Sequence, residues 1–305
     1  MTRPALIGVD WGSSSLRAFL IGADGARIDQ RRSDRGILNV AGGGFAAVLE
    51  ATVGDWRGAT PDLPVLLSGM IGSRQGWAEA PYAACPVALT ALANQFLALD
   101  DGVHIVPGLS AVGPDGVHDV MRGEETQLVG AVSLSGRGDG LFCLPGTHAK
   151  WARIADEAIT AFHTAMTGEV YAVLRAHSIL RHGMAELGDR DADAFDRGMA
   201  RAGQPGGLLH HLFGVRAEGL FDALGPAAAP SYLSGVLIGH ELAGIRDLVG
   251  AIERVTLVGQ GELIKLYARA LDVAGARVDM MEGETAAEAG LWRLARLADL
   301  VEGEG

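Results

Sequence analysis

Apolar and polar positions change rhythm along this chain, and each change marks an element. Leu6, Ile7 and Val9 form an apolar run that ends on Asp10, and after Gly12 and three serines a second run returns from Leu16. Strands are therefore expected near 5–10, 15–22 and 26–32, followed by a helix near 45–57, a buried strand at Pro64–Ser68, a helix near 90–98 and a strand at Val103–Val106. An opening hairpin followed by strand–helix alternation implies a mixed α/β sheet, not a purely parallel one. Glu124–Ser133 is expected to be helical with Leu128, Val129 and Val132 on one side, and the run Ser135-Gly136-Arg137-Gly138-Asp139-Gly140 breaks it. That break is the expected domain boundary, dividing 1–135 from 136–305.

Beyond the break the pattern restarts. Leu141–Leu144 is an apolar strand, Pro145-Gly146-Thr147-His148 a tight turn and Lys150–Ile154 a return strand. A strand at Ile159–His163 and a helical region over about 168–249 follow, with Thr167 expected as N-cap and Glu169 in the first turn. The last unit is a strand Val255–Val258, the turn Gly259-Gln260-Gly261, a helix to about Ala274, a strand Ala276–Met281 and a helix from Glu284. Ala286, Ala287, Ala289 and Gly290 make that helix small on one side. The helix bearing Gly130 and Ala131 is its natural partner, and a crossing of the two between domains would form a hinge.

Composition narrows the function. The 305 residues are 49% hydrophobic and 20% charged, enough for two cores, and the formal net charge of −12 is wrong for a protein that grips nucleic acid along a basic face. No apolar run is long enough to span a bilayer, and Met1-Thr2-Arg3-Pro4 leads straight into a strand, so a cytoplasmic enzyme is expected. Two cysteines, Cys85 and Cys143, offer no disulfide framework and no metal cluster. His177, His182, His210 and His211 lack a second ligand at metal spacing and read as solvated or packing residues.

The candidate chemistry lies at four turns. Gly12, Ser13, Ser14 and Ser15 can aim backbone N–H groups at an anion, Asp10 can hold a metal ion directly or through water, and Arg17 adds a fork suited to phosphoryl oxygens. Gly146, Thr147, His148 and Lys150 offer turn amides, a hydroxyl and a cation. Lys150 and Lys265 are the only lysines, so a lysine at a glycine turn suggests a need for a compact charge. Gly259, Gln260 and Gly261 stand between a strand and a helix, where a nucleoside can approach the backbone. Glu124 and Glu125, after Arg122 and Gly123, open a helix as candidate general bases for phosphoryl transfer. A dinucleotide fold is the nearest rival at Gly259-x-Gly261, with Asp279 further on, but Ile264 occupies its third glycine position.

The segments GVDWGSSSLRAFL, SGMIGSRQGW, VPGL, DVMRGEETQLVGA, CLPGTHAKW, MTGEVYAVL and YLSGVLIGHEL together resemble the 2-dehydro-3-deoxygalactonokinase family, a branch of the actin-like ATPase superfamily. The resemblance implies two actin-like (ribonuclease H-like) domains with mixed sheets flanked by helices and an interdomain cleft. It implies ATP-dependent phosphorylation of the terminal C6 hydroxyl of 2-dehydro-3-deoxy-D-galactonate, with ATP and Mg²⁺ as cofactors. By motif, Asp10 and Gly12–Ser15 form the first phosphate loop, Gly146–His148 the second and Gly259–Gly261 the adenosine loop. The acid before the second loop is the base, with Glu125 favoured by spacing and Glu124 still open. Ser68, Gly69, Met70, Arg74, Trp77 and Arg122 are the expected sugar-acid contacts, with Arg74 able to meet a carboxylate. A phosphohydrolase of the same fold, a kinase for another keto-deoxy sugar acid and a homodimeric assembly are also compatible with the sequence.

Overall fold

The computed structural model describes residues 2–186, 188 and 190–302; Met1 and positions 187 and 189, inside the expected 168–249 helical span, lie outside them. The chain divides into two compact units: the first comprises Met1–Phe142, Ala152–Phe162 and Met281–Gly305, the second Cys143–Trp151 and His163–Met280. Instead of one cut near 135, the chain passes between units several times.

The elements up to residue 135 run β1 (Pro4–Trp11), β2 (Leu16–Gly22), β3 (Arg27–Ser33), α1 (Phe45–Ala59), β4 (Val65–Ser68), β5 (Tyr82–Ala84), β6 (Val87–Ala88), α2 (Leu89–Ala93), β7 (Leu97–Ala98), β8 (Val103–Ile105), β9 (Gly108–Val112), β10 (His118–Met121) and α3 (Glu124–Ser135). They continue as β11 (Gly140–Leu144), β12 (Ala149–Ala155), β13 (Ala158–Ala165), α4 (Thr167–His177), α5 (Ala192–Ala202), α6 (Gly207–Leu220), α7 (Ala229–Val249), β14 (Arg254–Gly259), α8 (Gly261–Val273), β15 (Arg277–Glu282) and α9 (Gly283–Leu297). The class is mixed α/β, as the alternation implies. No helix of the described residues is long and apolar enough to cross a membrane.

In the first unit a six-stranded sheet runs β3-β2-β1-β4-β8-β7. β1 pairs antiparallel with β2 and parallel with β4, and β4 parallel with β8. Leu6, Ile7, Val9 and Trp11 are all fully buried, because a strand covered on both faces cannot alternate. Phe45, Val48, Leu49, Val53 and Trp56 of α1 recur at helical spacing and close one face over Ile7, Val9 and Trp11.

Two expectations need correction here. The helix expected at 90–98 stops at Ala93; Asn94 caps it, and Leu97–Ala98 joins the sheet edge opposite His104–Ile105. Asparagine competes poorly for a helix interior, and the ladder bonds of an open edge take the residues after it. The second concerns the small-residue helices. An ideal Cβ on Gly130 would stand 1.8 Å from the Ala286 carbonyl oxygen, and one on Gly290 would stand 1.9 Å from that of Thr126, so α3 and α9 touch backbone to backbone. The crossing is as expected, but it lies inside the first unit and is no hinge between two. A three-stranded sheet, β10-β9-β5, was not anticipated, although Pro114-Asp115-Gly116 is the turn of its β9–β10 hairpin.

The remaining sheet has the order β15-β14-β11-β12-β13-β6. Within the second unit the helical span resolves into α4, a short 3-10 turn at Ile179–Gly183, α5, α6 and α7. Gly198 and Gly235 let α5 and α7 approach, since a Cβ on either would meet the facing backbone within 2.2 Å. His211 is a packing residue: buried, with its ring nitrogens on His240 at 2.9 Å and on the Pro205 carbonyl at 3.1 Å.

Candidate active site

Strand register brings together the candidate residues of the first unit. Asp10, the carboxylate that ends the apolar part of β1, stands beside Ser68 in the parallel ladder and opposite Arg17 in the hairpin. The Arg17 guanidinium lies 3.9 Å from it. Between them the turn closes through Gly12 N–H to the Ser15 carbonyl at 2.9 Å, with Ser13 and Ser14 exposed at its tip. The turn rests on Gly36, where a Cβ would stand 2.3 Å from the Ser14 backbone. Burial lifts the Asp10 carboxyl above its ordinary range, Arg17 draws it down and Glu284 adds to the rise.

Backbone without side chains brings α3 to the same place. Gly69 has φ +95° and Gly123 φ +107°, conformations that favour glycine. A Cβ on Gly69 would stand 2.8 Å from the Trp11 carbonyl oxygen and 3.5 Å from Asp10 Oδ1; one on Gly123 would stand 3.2 Å from Gly69 Cα. The start of α3 is thereby held against the end of β1.

This placement separates the two acids. Glu125 is fully buried, its Oε2 accepting the Gly123 N–H at 2.7 Å, and Thr126 Oγ1 lies 3.3 Å from Oε1 and 2.6 Å from Ser68 Oγ. Glu124 folds back and accepts the Arg122 N–H at 3.1 Å. Burial, then the charge of Glu124, pushes the Glu125 carboxyl up to about 8, against the N–H groups of Glu125 and Gly123 and the cation of Arg122. A carboxyl so poised can accept or hold a proton near neutral pH.

The arginines differ more sharply than the sequence shows. Arg122 is buried, its guanidinium 4.4 Å over the Tyr82 ring and donating to the Ala80 carbonyl at 2.7 Å. Its Nε and Nη1 find no hydrogen-bond partner among the described residues. Arg74 is 85% exposed and paired with Glu79 at 2.8 Å. Met70 and Trp77 pack on the first unit's core. Glu284, at the start of α9, was not singled out from the sequence. It is buried and gathers Arg17 at 3.9 Å, Arg27 at 3.6 Å, Arg32 at 2.5 Å and Gln30 at 2.8 Å, and so fixes the cations behind Asp10. A lone Glu in a helix-opening Gly-Glu-Thr gives no signal of such partners.

In the second unit, the turn Pro145–His148 follows β11 and is gripped by α4. A Cβ on Gly168 would stand 2.3 Å from the Gly146 carbonyl oxygen, and the Glu169 N–H donates to the Thr147 carbonyl at 2.9 Å. His148 Nε2 meets Glu169 Oε2 at 2.5 Å, so Glu169 serves the turn as well as the helix end. Thr167 is not the N-cap: Met166 holds that position, and the Thr167 hydroxyl donates to Glu241. Lys150 lies buried in β12 with its ammonium on Thr164 Oγ1 at 2.7 Å.

Gly259 ends β14 beside Pro145, Gln260 is extended and Gly261 opens α8 at φ +71°. A cavity of about 450 Å³, walled by Gly146, Thr147, Gly168, Tyr171, Leu237 and Leu263 among others, adjoins the turn. Its size and largely apolar lining suit a nucleoside. Behind it Glu241 is buried and accepts Trp151 Nε1–H at 2.7 Å and Tyr267 O–H at 2.6 Å as well as the Thr167 hydroxyl. Burial raises this carboxyl while the three donors, Thr167 foremost, lower it.

Known proteins agree with the motif reading. A family model described as 2-keto-3-deoxy-galactonokinase matches residues 10–294. The chain is 42% identical to a "probable 2-dehydro-3-deoxygalactonokinase" of Rhizobium meliloti (strain 1021), over 94% of this chain and 95% of that one. It is 38% identical to the 2-dehydro-3-deoxygalactonokinase of Escherichia coli (strain K12), over 95% and 97%. A crystal structure from Sinorhizobium meliloti with the provisional name 2-dehydro-3-deoxygalactonokinase superposes with TM-score 0.89 at 40% identity, covering 95% of this chain and 98% of that one. With Asp10, Gly123–Glu125 and the 145–148 turn all inside the matched span, the chain belongs to the 2-keto-3-deoxy-galactonokinase family.

Proposed function

We propose that this chain transfers the terminal phosphoryl group of ATP to the C6 hydroxyl of 2-dehydro-3-deoxy-D-galactonate, giving the 6-phosphate. Use of ATP follows from membership of a kinase family. The observation that carries the rest is Glu125: a fully buried carboxyl at a helix start, held by the Gly123 N–H and joined through backbone glycines to Asp10. Phosphoryl transfer needs positioning and one base, and in this reading Glu125 takes the hydroxyl proton as the sugar oxygen attacks. Glu124, turned back on Arg122, acts on its neighbour through charge alone.

The other roles are proposed from the motifs. Asp10, Arg17 and the Gly12–Ser15 turn receive terminal phosphates. Gly146, Thr147 and His148 form the second phosphate contact, and Gly259, Gln260 and Gly261 border the adenosine. In this reading the first unit carries the sugar acid and the first loop, and the second unit the second loop and the nucleoside. Lys150, held on Thr164, braces its turn. Arg122, adjoining the base and with unsatisfied donors, is the arginine proposed for the substrate carboxylate in preference to Arg74. The reaction draws on cytoplasmic ATP.

Asp10 fits Mg²⁺. Its Oδ1 looks onto Gly69, where a Cβ would fill the space at 3.5 Å, and no cluster of three or more His, Cys, Asp or Glu is gathered among the described residues to cage a metal. A single carboxylate suits an ion that keeps waters and takes its other ligands from phosphates. When bound, Mg²⁺ supplies neutralisation of phosphate charge.

A coupled ADP-release assay against a panel of sugar acids, with galacto and gluco epimers, tests the proposal. Turnover is expected with the galacto acid and none without an acceptor. Equal phosphate release with no sugar acid present would overturn it.

A further inference from the structure

Glu241 sits in the middle of α7 among buried apolar neighbours, and nothing in the proposed chemistry uses it. Both its oxygens are engaged: Oε1 by Trp151 of β12, Oε2 by Tyr267 of α8 and Thr167 of α4. Three donors converge on one acceptor-only group, which is the pattern of a buried carboxylate satisfied by hydrogen bonds. Well-packed apolar residues could fill such a place with no loss of stability, so a buried acid there calls for another reason.

The reason lies in what Thr167 does next. It is the first residue of α4; Gly168 presses its backbone on the Gly146 carbonyl, and Glu169 donates to that of Thr147. The tether therefore runs from Glu241 through Thr167 to the 145–148 turn, and both Thr167 and Tyr267 also line the cavity beside it. We infer that Glu241 is a positioning residue that locks the start of α4 against the Gly146–Thr147 turn and so sets the affinity for ATP. This rests on the reading of that turn as a nucleotide contact. Glu241 acts there through other residues, on nucleotide binding and not on the sugar acid or the proton transfer.

The test compares Glu241→Gln, Thr167→Val, their double variant and Thr167→Ser by steady-state kinetics, with ATP affinity measured by calorimetry on the intact chain. Losing charge-assisted bonds of this kind corresponds to roughly a 10- to 100-fold change, so KM and Kd for ATP should rise by about that factor in Glu241→Gln and in Thr167→Val. kcat at saturation and KM for the sugar acid should stay within about threefold. The double variant should be no worse than the weaker single one, because each single change already cuts the same tether. Thr167→Ser should recover most of the affinity that Thr167→Val loses.

An unchanged ATP affinity in Glu241→Gln, KM values that rise together for both substrates, or effects that multiply in the double variant would each overturn the inference. Should Glu241→Gln fail to fold, equal ATP affinities of Thr167→Ser and Thr167→Val would overturn it. A wild-type chain that binds ATP but phosphorylates no sugar acid defeats the kinase reading alone, and the calorimetry still decides the tether.

Discussion

Replacing Glu125 by Gln removes the proposed base while keeping its shape, and two independent readouts should move in opposite senses. The carboxyl titrates near 8 in the folded chain against an ordinary value of 4.5. At about 1.4 kcal/mol per tenfold change in proton affinity, its burial holds roughly 5 kcal/mol of preference for the protonated form. The folded state binds the proton more tightly, so the associated stability is whole below about pH 4.5 and is lost as pH rises through about 8. Near neutral pH about 3 kcal/mol of that is already gone. Glu125→Gln mimics the protonated acid and loses none of it. Urea unfolding at pH 5, 7 and 9 should therefore show wild-type stability falling relative to the variant by several kcal/mol. The rate runs the other way: wild-type kcat/KM should climb about tenfold per pH unit below 8 and level above it, while Glu125→Gln loses at least about 100-fold at every pH and still binds ATP. Glu124→Gln, lacking the buried position, should keep its rate within a few-fold and move the wild-type profile to lower pH, because the charge of Glu124 helps raise its neighbour. Near-normal turnover in Glu125→Gln, or parallel stability curves for it and wild type across pH 5–9, would refute the reasoning.

Other consequences are as specific. Glu284→Ala leaves a buried gap beside Arg17, Arg27 and Arg32; since Arg17 keeps Asp10 and Arg27 keeps Glu288, it should cost about 1–3 kcal/mol by chemical denaturation, with a raised KM for ATP as Arg17 loses one of its two carboxylate partners. Gly130→Val places atoms where the Ala286 carbonyl stands, so a loss of more than about 3 kcal/mol or failure to fold is expected, whereas Gly136→Ala, open around its Cβ but at φ +63°, should cost only about 1 kcal/mol by the same measurement. Arg122→Gln should raise KM for the sugar acid at least about tenfold, while Arg74→Ala, which breaks only an exposed pair with Glu79, should change neither KM nor unfolding midpoint measurably.

Much of the fold was legible because its signals are local. Asp10 at the end of an apolar run, the Gly12–Ser15 turn and the βα alternation each follow from a few adjacent residues, and the hairpin, α1, β4 and α3 lie where those residues put them. The α3–α9 crossing was readable too, since Gly130 and Gly290 leave little else for two helices to do. What escaped depends on partners distant in sequence. Glu284 owes its role to arginines more than 250 positions away, and Glu241 to a tryptophan 90 positions back. Thr167 matched a cap by type but found a buried carboxylate in reach, and Leu97 gave up helix for the free edge of β8. Glu124 and Glu125 are indistinguishable as letters; only the helix's setting against Gly69 buries one and turns the other back.

The first unit joins segments far apart in the chain, and that sets an order on its folding. β1 is synthesised long before α9, yet Gly8 is packed by Leu291, and the groove over Gly130 is filled by α9. Until α9 is synthesised, that surface stays open to solvent and to chaperones. A nascent chain cut short after β15 would carry the whole Gly12–Ser15 turn and still lack a finished fold to hold it. Quality control would see such fragments as unfolded.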